Sequence, residues 1–162
     1  MSWNEYRYVD TLHSAWRNPR PMPAPKPSGN AAKLGLRYEA NVGKQLARFV
    51  TTDKFIGLEH NPWFLFTDKF GQANCSPDFL LFMSDRAVIV EVKLTWVPIA
   101  MQKLLELYCP VVSRALQCPV MPLVICKNLA PNAPQPQQNL VAALTTPHKL
   151  LHWPQIGLMP WQ

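Results

Sequence analysis

The chain has 162 residues and a formal net charge of +6, with 48% hydrophobic and 16% charged residues. That length fits one domain with a substantial core, and the composition excludes a disordered charged tail. No apolar run approaches the roughly 18 residues that a membrane span requires, so we expect no membrane partner. The four cysteines lack CxxC spacing and the N-terminus lacks the pattern of a secretory signal. We therefore expect a reducing, cytoplasmic location.

The first 29 residues have a composition of their own. Ser2 and Glu5 have the spacing of a capping box, and apolar residues then recur at helical spacing as far as Trp16. From Pro19 to Pro27 every second residue is proline, which predicts an extended, polyproline-like arm. We expect residues 1–29 to form a helix and an arm that pack on the main domain, on a protein partner or on a second copy.

Residues 30–153 are expected to form the main domain, followed by a tail over residues 154–162. An apolar stripe at helical spacing predicts a first helix, and three strands, a helix from Pro98 and another strand follow. Pro110 should kink or end the second helix, and Thr146-Pro147 can start a last helix that runs through Trp153. The order α-β-β-β-α-β indicates an α/β fold with a mixed, hairpin-rich sheet. The helical stripe consists of Leu34, Tyr38, Val42, Leu46, Phe49 and Val50. The predicted strands are Trp63–Thr67, Asp78–Met83, Ala87–Leu94 and Val120–Cys126.

Three charged residues, Asp78, Glu91 and Lys93, lie within two runs of apolar strand formers. Alternation places Glu91 and Lys93 on one face of their strand, where burial is costly unless the charges are compensated. If the two strands pair so that Asp78 opposes Glu91, the same register sets Leu80 against Ile89, and Phe82 against Ala87.

Two carboxylates on neighbouring strands can hold a divalent ion, and Mg²⁺ favours one or two carboxylates together with water and phosphate oxygens. A nearby lysine can orient or deprotonate a water, or stabilise charge on a phosphate. These are the groups that phosphodiester hydrolysis requires. The alternative is a salt bridge with no catalytic use.

The run Pro77-Asp78, twelve residues, then Glu91-Val92-Lys93 resembles the PD-(D/E)xK nuclease superfamily. The resemblance implies a restriction-endonuclease-like core, in which helices flank a mixed sheet. It also implies that Asp78, Glu91 and the carbonyl of Val92 bind Mg²⁺, with Mn²⁺ able to substitute, and that Lys93 is the catalytic cation. The expected activity is hydrolysis of DNA rather than RNA that is either structure-selective or weakly sequence-selective, as in junction resolvases and recombination exonucleases.

Family members often add a glutamate from the helix before the sheet, and Glu39 occupies that place. The resemblance implies that Glu39 is a further catalytic residue and metal ligand. It projects within the apolar stripe of the first helix, and the alternative is that it pairs with an arginine. Exonuclease and recombination members also carry a glutamine and a tyrosine on the later helix, for which Gln102 and Tyr108 are candidates. Their spacing of six differs from the usual four. Lys69 and Lys103 complete the candidate contacts to nucleic acid.

Several basic and histidine residues allow two interpretations. Lys33, Arg37, Lys44 and Arg48 share one side of the first helix and either follow phosphates or form its solvated face. His60 either reaches the site or is structural. His148 and His152 have the i, i+4 spacing of zinc ligands or of an ordinary helix pair.

Six of the ten acidic residues fall within residues 53–91, so a basic frame surrounds an acidic segment, as suits an enzyme of nucleic acids. The rival class is a non-catalytic protein that binds nucleic acid or a protein.

Overall fold

The computed structural model describes residues 11–23, 26–50, 54–145 and 150–154. Its elements in chain order are β1 (Ser14–Asn18), α1 (Asn30–Phe49), β2 (Phe55–His60), β3 (Trp63–Asp68), β4 (Gly71–Cys75), β5 (Phe79–Met83), β6 (Ala87–Thr95), α2 (Pro98–Lys103), a π-helical segment (Leu104–Tyr108), α3 (Cys109–Leu116), β7 (Val120–Asn128), α4 (Leu140–Thr145) and β8 (Leu150–His152). None of the helices in these ranges is both long enough and apolar enough to cross a bilayer.

The main sheet is mixed and has five strands in the order β2-β5-β6-β7-β8. The first three strands pair antiparallel, and β6, β7 and β8 run parallel. Leu80 opposes Ile89 and Phe82 opposes Ala87, so the register expected if Asp78 opposes Glu91 is confirmed. Continued by one pair, this register sets Asp78 opposite Glu91.

A second sheet holds β1, β3 and β4, all antiparallel, with β3 in the middle. The predicted order α-β-β-β-α-β is therefore wrong in two respects. The strand at Trp63–Asp68 belongs to this smaller sheet, and the elements β2 and β4 were not predicted. The coarser expectation of a mixed α/β fold is confirmed.

Helices cover both faces of the main sheet, and the sheet divides the core into two halves. The side chains of β6 alternate between the two halves, because successive residues of a strand point to opposite faces. Val88 and Val90 pack toward α1 and α4, whereas Ile89 packs toward the α2–α3 helix and the smaller sheet. The stripe on α1 is buried from Tyr38 through Phe49, while Leu34 at its start stays half exposed.

The helix that begins at Pro98 passes through Pro110 instead of ending there. The Cys109 N–H bonds to the Leu104 carbonyl five residues back, which defines the π turn. Because Pro110 has no N–H, it breaks the α-helical ladder, and a wider turn just before it lets the helix continue as α3. The predicted interruption is thus confirmed as a change of helix type.

The predicted N-terminal helix is wrong where the structure describes it. Residues 1–10 lie outside the described residues, but Ser14–Asn18 form β1, whose backbone pairs with β3 along its whole length. Leu12 and Ala15 pack against the half of the core that contains α3. The open edge of β3 supplies hydrogen bonds that helical spacing alone could not reveal. The segment that includes β1 is thus part of the main fold.

The predicted last helix is also wrong over residues 150–152, which form β8. Leu150 and Leu151 are fully buried in a strand parallel to β7. Thr146, Pro147 and His148 lie outside the described residues. The ring of His152 bonds through Nε2 to the carbonyl of Lys127 at 2.9 Å. His152 is therefore not part of an i, i+4 helix pair.

Candidate active site

Asp78 lies immediately before β5 and is fixed to the neighbouring strand. Its Oδ2 accepts a hydrogen bond of 2.7 Å from the N–H of Val92. Burial raises the pKa of Asp78 well above its usual value, and the charges of Glu91 and Glu39 raise it further. The Val92 bond and the Lys93 ammonium oppose this rise without cancelling it. A carboxylate in this position favours binding a cation or a proton.

Glu91 is the most buried charge of the cluster, with its side chain only 5% exposed. Its Oε1 lies 3.1 Å from Nζ of Lys93. Its Oε2 is buried and has no hydrogen-bond partner among the described residues. Such an orphan carboxylate oxygen is destabilising, so a ligand for it would stabilise the fold.

Lys93 carries the positive charge of the cluster. Burial disfavours its charged form, but the attraction of Glu91 and Asp78 outweighs that effect and raises the pKa of Lys93. The ammonium is therefore charged at neutral pH. This argues for Lys93 as a cation rather than as a proton acceptor.

Glu39 projects from α1 toward the same site. Its Oε1 lies 2.9 Å from Nε2 of His60, and its charge acts on both Asp78 and Lys93. The His60 ring stacks on Phe79, with ring centroids 4.7 Å apart. Glu39 thus pairs with a histidine instead of the arginine considered as an alternative. The same contact places His60 beside the cluster.

A glycine allows α1 to lie close enough for this contact. A Cβ built on Gly43, one turn after Glu39, would lie 2.8 Å from Cζ of Phe79. No real Cβ tolerates that distance, so the absence of a side chain at Gly43 sets the separation of α1 from β5. The same spacing brings Glu39 within reach of His60.

Val92 is placed by the same bond that holds Asp78. In a strand, the N–H and C=O of one residue point to the same side, and the Val92 N–H points to Asp78. We expect the Val92 carbonyl to face that side as well. Among the described residues, no three His, Cys, Asp or Glu side chains form a group that could hold a metal ion. A metal here would thus rely on two carboxylates, this carbonyl and water, a set that Mg²⁺ accepts.

The predicted nucleic-acid contacts divide into two groups. Tyr108 is buried next to the cluster, where burial and the charge of Glu91 raise its pKa, and its hydroxyl donates to the Ser76 carbonyl at 3.4 Å. Lys103 lies 5.0 Å above the Tyr108 ring. Gln102 instead donates to Glu106 on its own helix, and Lys69 lies over the Phe70 ring beyond β3.

Two cavities flank the N-terminal half of α1. One, of about 410 Å³, is lined by Glu39 and Asp78 together with His60 and residues of the proline-rich arm. The other, of about 400 Å³, includes Arg37 and Lys127.

The turn residue Asn61, with φ 51°, lines the first cavity. Its Asn-Pro sequence is a turn signal that could have predicted it, whereas no sequence signal indicates that Met22 and Pro23 line the same cavity.

These features define a mixed α/β protein with a buried carboxylate–lysine cluster beside its main sheet. Comparison with protein-family models, with curated proteins and with solved structures gives no match for this chain.

Proposed function

We propose that the chain is a Mg²⁺-dependent deoxyribonuclease of the PD-(D/E)xK kind, with Mn²⁺ able to substitute, whose cleavage of phosphodiester bonds is structure-selective or weakly sequence-selective. The observation that carries the proposal is the environment of Glu91. One buried oxygen of this side chain pairs with Lys93, and the other has no partner among the described residues and lies on the side of the sheet that Asp78 shares. An incomplete ligand set of this kind fits a cation better than it fits a structural salt bridge.

In this proposal each residue of the cluster has a distinct task. Asp78, Glu91 and the Val92 carbonyl would hold the ion. When bound, the ion would polarise a phosphate oxygen and lower the pKa of water. Lys93, charged at neutral pH, would stabilise the negative charge that builds on the phosphate. Water adds to phosphorus, the P–O bond to the leaving oxygen breaks, and that oxygen takes up a proton.

Glu39 would act indirectly, because it is already bonded to His60. A carboxylate in that position could orient the attacking water without replacing the strand carboxylates. We expect the loss of Glu39 to reduce cleavage about ten- to a hundredfold, as for outer partners of metal ligands. Loss of Asp78 or Glu91 should remove nearly all cleavage.

The test is an assay of the purified chain on single-stranded, duplex, flapped and four-way DNA and on single-stranded RNA, with Mg²⁺ or with EDTA. Asp78→Asn and Glu91→Gln should abolish cleavage while keeping a cooperative thermal transition. Asp85→Asn is the matched control, since Asp85 is an exposed acid in the β5–β6 turn that pairs with Arg86. Cleavage by Glu91→Gln at the wild-type rate would show that the mechanism is wrong.

A second function follows if the same Glu91–Lys93 contact is a structural ion pair. Lys93 already occupies one oxygen of Glu91 at 3.1 Å, as in a closed ion pair. On this alternative the fold binds nucleic acid or a protein through its basic surface and arm, without catalysis. DNA binding that persists in EDTA, combined with no cleavage of any substrate in Mg²⁺ or Mn²⁺, would support it.

A further inference from the structure

The cavity of about 410 Å³ joins the carboxylate cluster to the proline-rich arm. Glu39 and Asp78 line it together with Met22 and Pro23 of the arm and with α1 residues that include Ala40. It therefore reaches two of the proposed catalytic residues, whereas Glu91 and Lys93 do not line it. Its size lies near the lower end of the range of about 300–1,000 Å³ for small-molecule pockets.

The arm is held in place as a wall of this cavity by two backbone hydrogen bonds. The Met22 N–H donates to the Asn61 carbonyl at 2.8 Å, and the Asn61 N–H donates to the Asp78 carbonyl at 2.9 Å. One turn residue thus connects the arm to the strand that bears the first carboxylate. A strand of DNA that reaches Asp78 from this side meets Met22 and Pro23.

The chemistry of the lining differs from one side to the other. Met22, Pro23 and Ala40 present apolar surface that suits the faces of a base, and methionine adapts its shape readily to such contacts. Glu39 and Asp78 would repel a phosphate unless a bound divalent ion neutralises them. A single nucleotide, with its base between arm and α1 and its phosphate toward the carboxylates, satisfies both sides.

We propose that this cavity holds the terminal nucleotide of a DNA strand, so that the chain degrades DNA from strand ends. The inference rests on the proposed nuclease function and extends it to the class of substrate. One water is consumed for each bond broken. The P–O bond between the terminal nucleotide and its neighbour breaks, the leaving oxygen takes up a proton, and a nucleoside monophosphate is released.

The test fills the cavity without touching the carboxylates. Ala40→Trp places a large side chain in it. Ala47→Trp is the matched control, because both alanines are exposed on α1 and Ala47 does not line the cavity. The two positions are seven residues apart, about 20° short of two full turns, so they lie on the same side of the helix. Thermal unfolding checks that both variants fold, and Ala40→Leu replaces the first if it does not.

Two measurements are made on each full-length protein in Mg²⁺. Calorimetric titration with thymidine 5′-monophosphate reports on the cavity and needs no cleavage. Cleavage rates are compared for linear and covalently closed circular single-stranded DNA of one sequence. We expect the wild type and Ala47→Trp to bind the nucleotide and to cut the linear strand at least tenfold faster than the circle. Ala40→Trp should weaken nucleotide binding and slow cleavage of the linear strand, each at least tenfold.

The failures of the two proposals are distinct. Equal cleavage of linear and circular DNA, or equal nucleotide binding by the wild type and Ala40→Trp, overturns the end-binding inference and leaves the nuclease in place. If the wild type cuts no substrate, the nuclease proposal falls. The titration alone then tests whether the cavity binds a nucleotide. Unchanged nucleotide binding in Ala40→Trp would reject the cavity as the binding site.

Discussion

The carboxylate of Asp78 accepts a hydrogen bond of 2.7 Å from the backbone N–H of Val92, which lies between Glu91 and Lys93 in the chain. This one bond fixes the start of β5 to the part of β6 that bears the other two charges. It also leaves Asp78 close to Glu91 and Glu39, which raise its pKa in addition to the effect of burial. Without a bound cation, the ionised form of Asp78 therefore destabilises the fold.

The first prediction concerns stability against pH. Because the folded-state pKa of Asp78 lies above its ordinary value of 3.8, the native state binds more protons than the unfolded state between the two values. Stability then falls as pH rises through that window. In EDTA, Asp78→Asn should melt higher than the wild type at pH 8, by about 2–4 °C for each ~1 kcal/mol gained.

The difference in melting temperature should shrink toward pH 4, where Asp78 is protonated in the folded wild type. Thermal unfolding at several pH values measures it, with Asp85→Asn as the control. Saturating Mg²⁺ should raise the melting temperature of the wild type but not of Asp78→Asn. A variant that is less stable than the wild type at pH 8 would contradict the prediction.

The second prediction separates two roles for Lys93. Lys93→Ala removes a cation beside two carboxylates, so cleavage should fall about a hundred- to a thousandfold, as for loss of a group that stabilises the transition state. The same change should leave Mg²⁺ affinity equal or higher. Lys93→Arg keeps the charge, but its planar fork can bind both oxygens of Glu91, so Mg²⁺ affinity should fall and cleavage should not recover.

The Mg²⁺ dependence of the cleavage rate measures both quantities, and Lys44→Ala serves as an exposed control on α1. The expected signature is a Mg²⁺ affinity that falls in the arginine variant but not in the alanine variant. If both variants lower that affinity equally, Lys93 orders the site instead of supplying charge.

The third prediction uses two glycines of α1. Gly35 has open space around its Cα, whereas a Cβ on Gly43 would lie 2.8 Å from the Phe79 ring. Gly35→Ala should stabilise the chain by up to about 1 kcal/mol through helix propensity. Gly43→Ala should destabilise it despite the same propensity, because α1 and the ring must move apart. Cleavage should fall too, since Glu39 and His60 move with them.

Urea unfolding of both variants gives the two changes in the free energy of unfolding. Adding Phe79→Leu to Gly43→Ala should restore part of the loss, which a double-mutant cycle detects. Stabilisation by Gly43→Ala would mean that the ring yields without cost.

The fourth prediction concerns the basic cavity on the other side of α1. Arg37 and Lys127 both line it, although they are far apart in sequence and were not predicted to meet. The logarithm of DNA affinity falls linearly with the logarithm of salt concentration. Arg37→Ala and Lys127→Ala should each make that slope shallower by about one. Lys33→Ala, at an exposed lysine of the same helix outside the cavity, should change it less. Fluorescence anisotropy in EDTA measures binding without cleavage, and equal slopes for all three variants would reject the cavity as a phosphate contact.

The sequence predicts those parts of the fold in which local pattern and burial agree. The register of β6 with β5 follows from setting Asp78 opposite Glu91, because a shift by one residue would place the two carboxylates on opposite faces of the sheet. The apolar stripe of α1 is equally explicit. The structure brings together five of the candidate residues that the sequence singled out, which are Asp78, Glu91, Lys93, Glu39 and Tyr108.

The remaining elements depend on contacts that no local pattern contains. Gly71–Cys75 is polar and forms a strand only because β3 offers it a partner. Leu150–His152 is too short to be recognised and is fixed by parallel pairing with β7. Trp16 follows helical spacing yet lies in a strand, since tertiary pairing outweighs weak local preference.

The last prediction follows from β1, which lies within residues 1–29, the segment expected from the sequence to stand outside the main domain. Five consecutive residues of β1 pair with β3, and Arg17 forms an ion pair with Glu59 of the other sheet. On β3, Phe64 and Phe66 are almost fully buried in the same half of the core as the packed Ala15. Deleting this strand leaves β3 with an open edge and removes part of its cover.

Deletion of residues 1–28 should therefore lower the melting temperature by more than about 10 °C, as loss of several kcal/mol implies, or abolish the cooperative transition, which circular dichroism records. A synthetic peptide of residues 11–23, added in excess, should restore part of the stability by pairing with β3, because a ligand that binds only the folded state stabilises it. The same peptide with Ala15→Asp should not, since it would place a charge against the core. An unchanged melting temperature in the truncated protein would show that β1 contributes nothing to the fold.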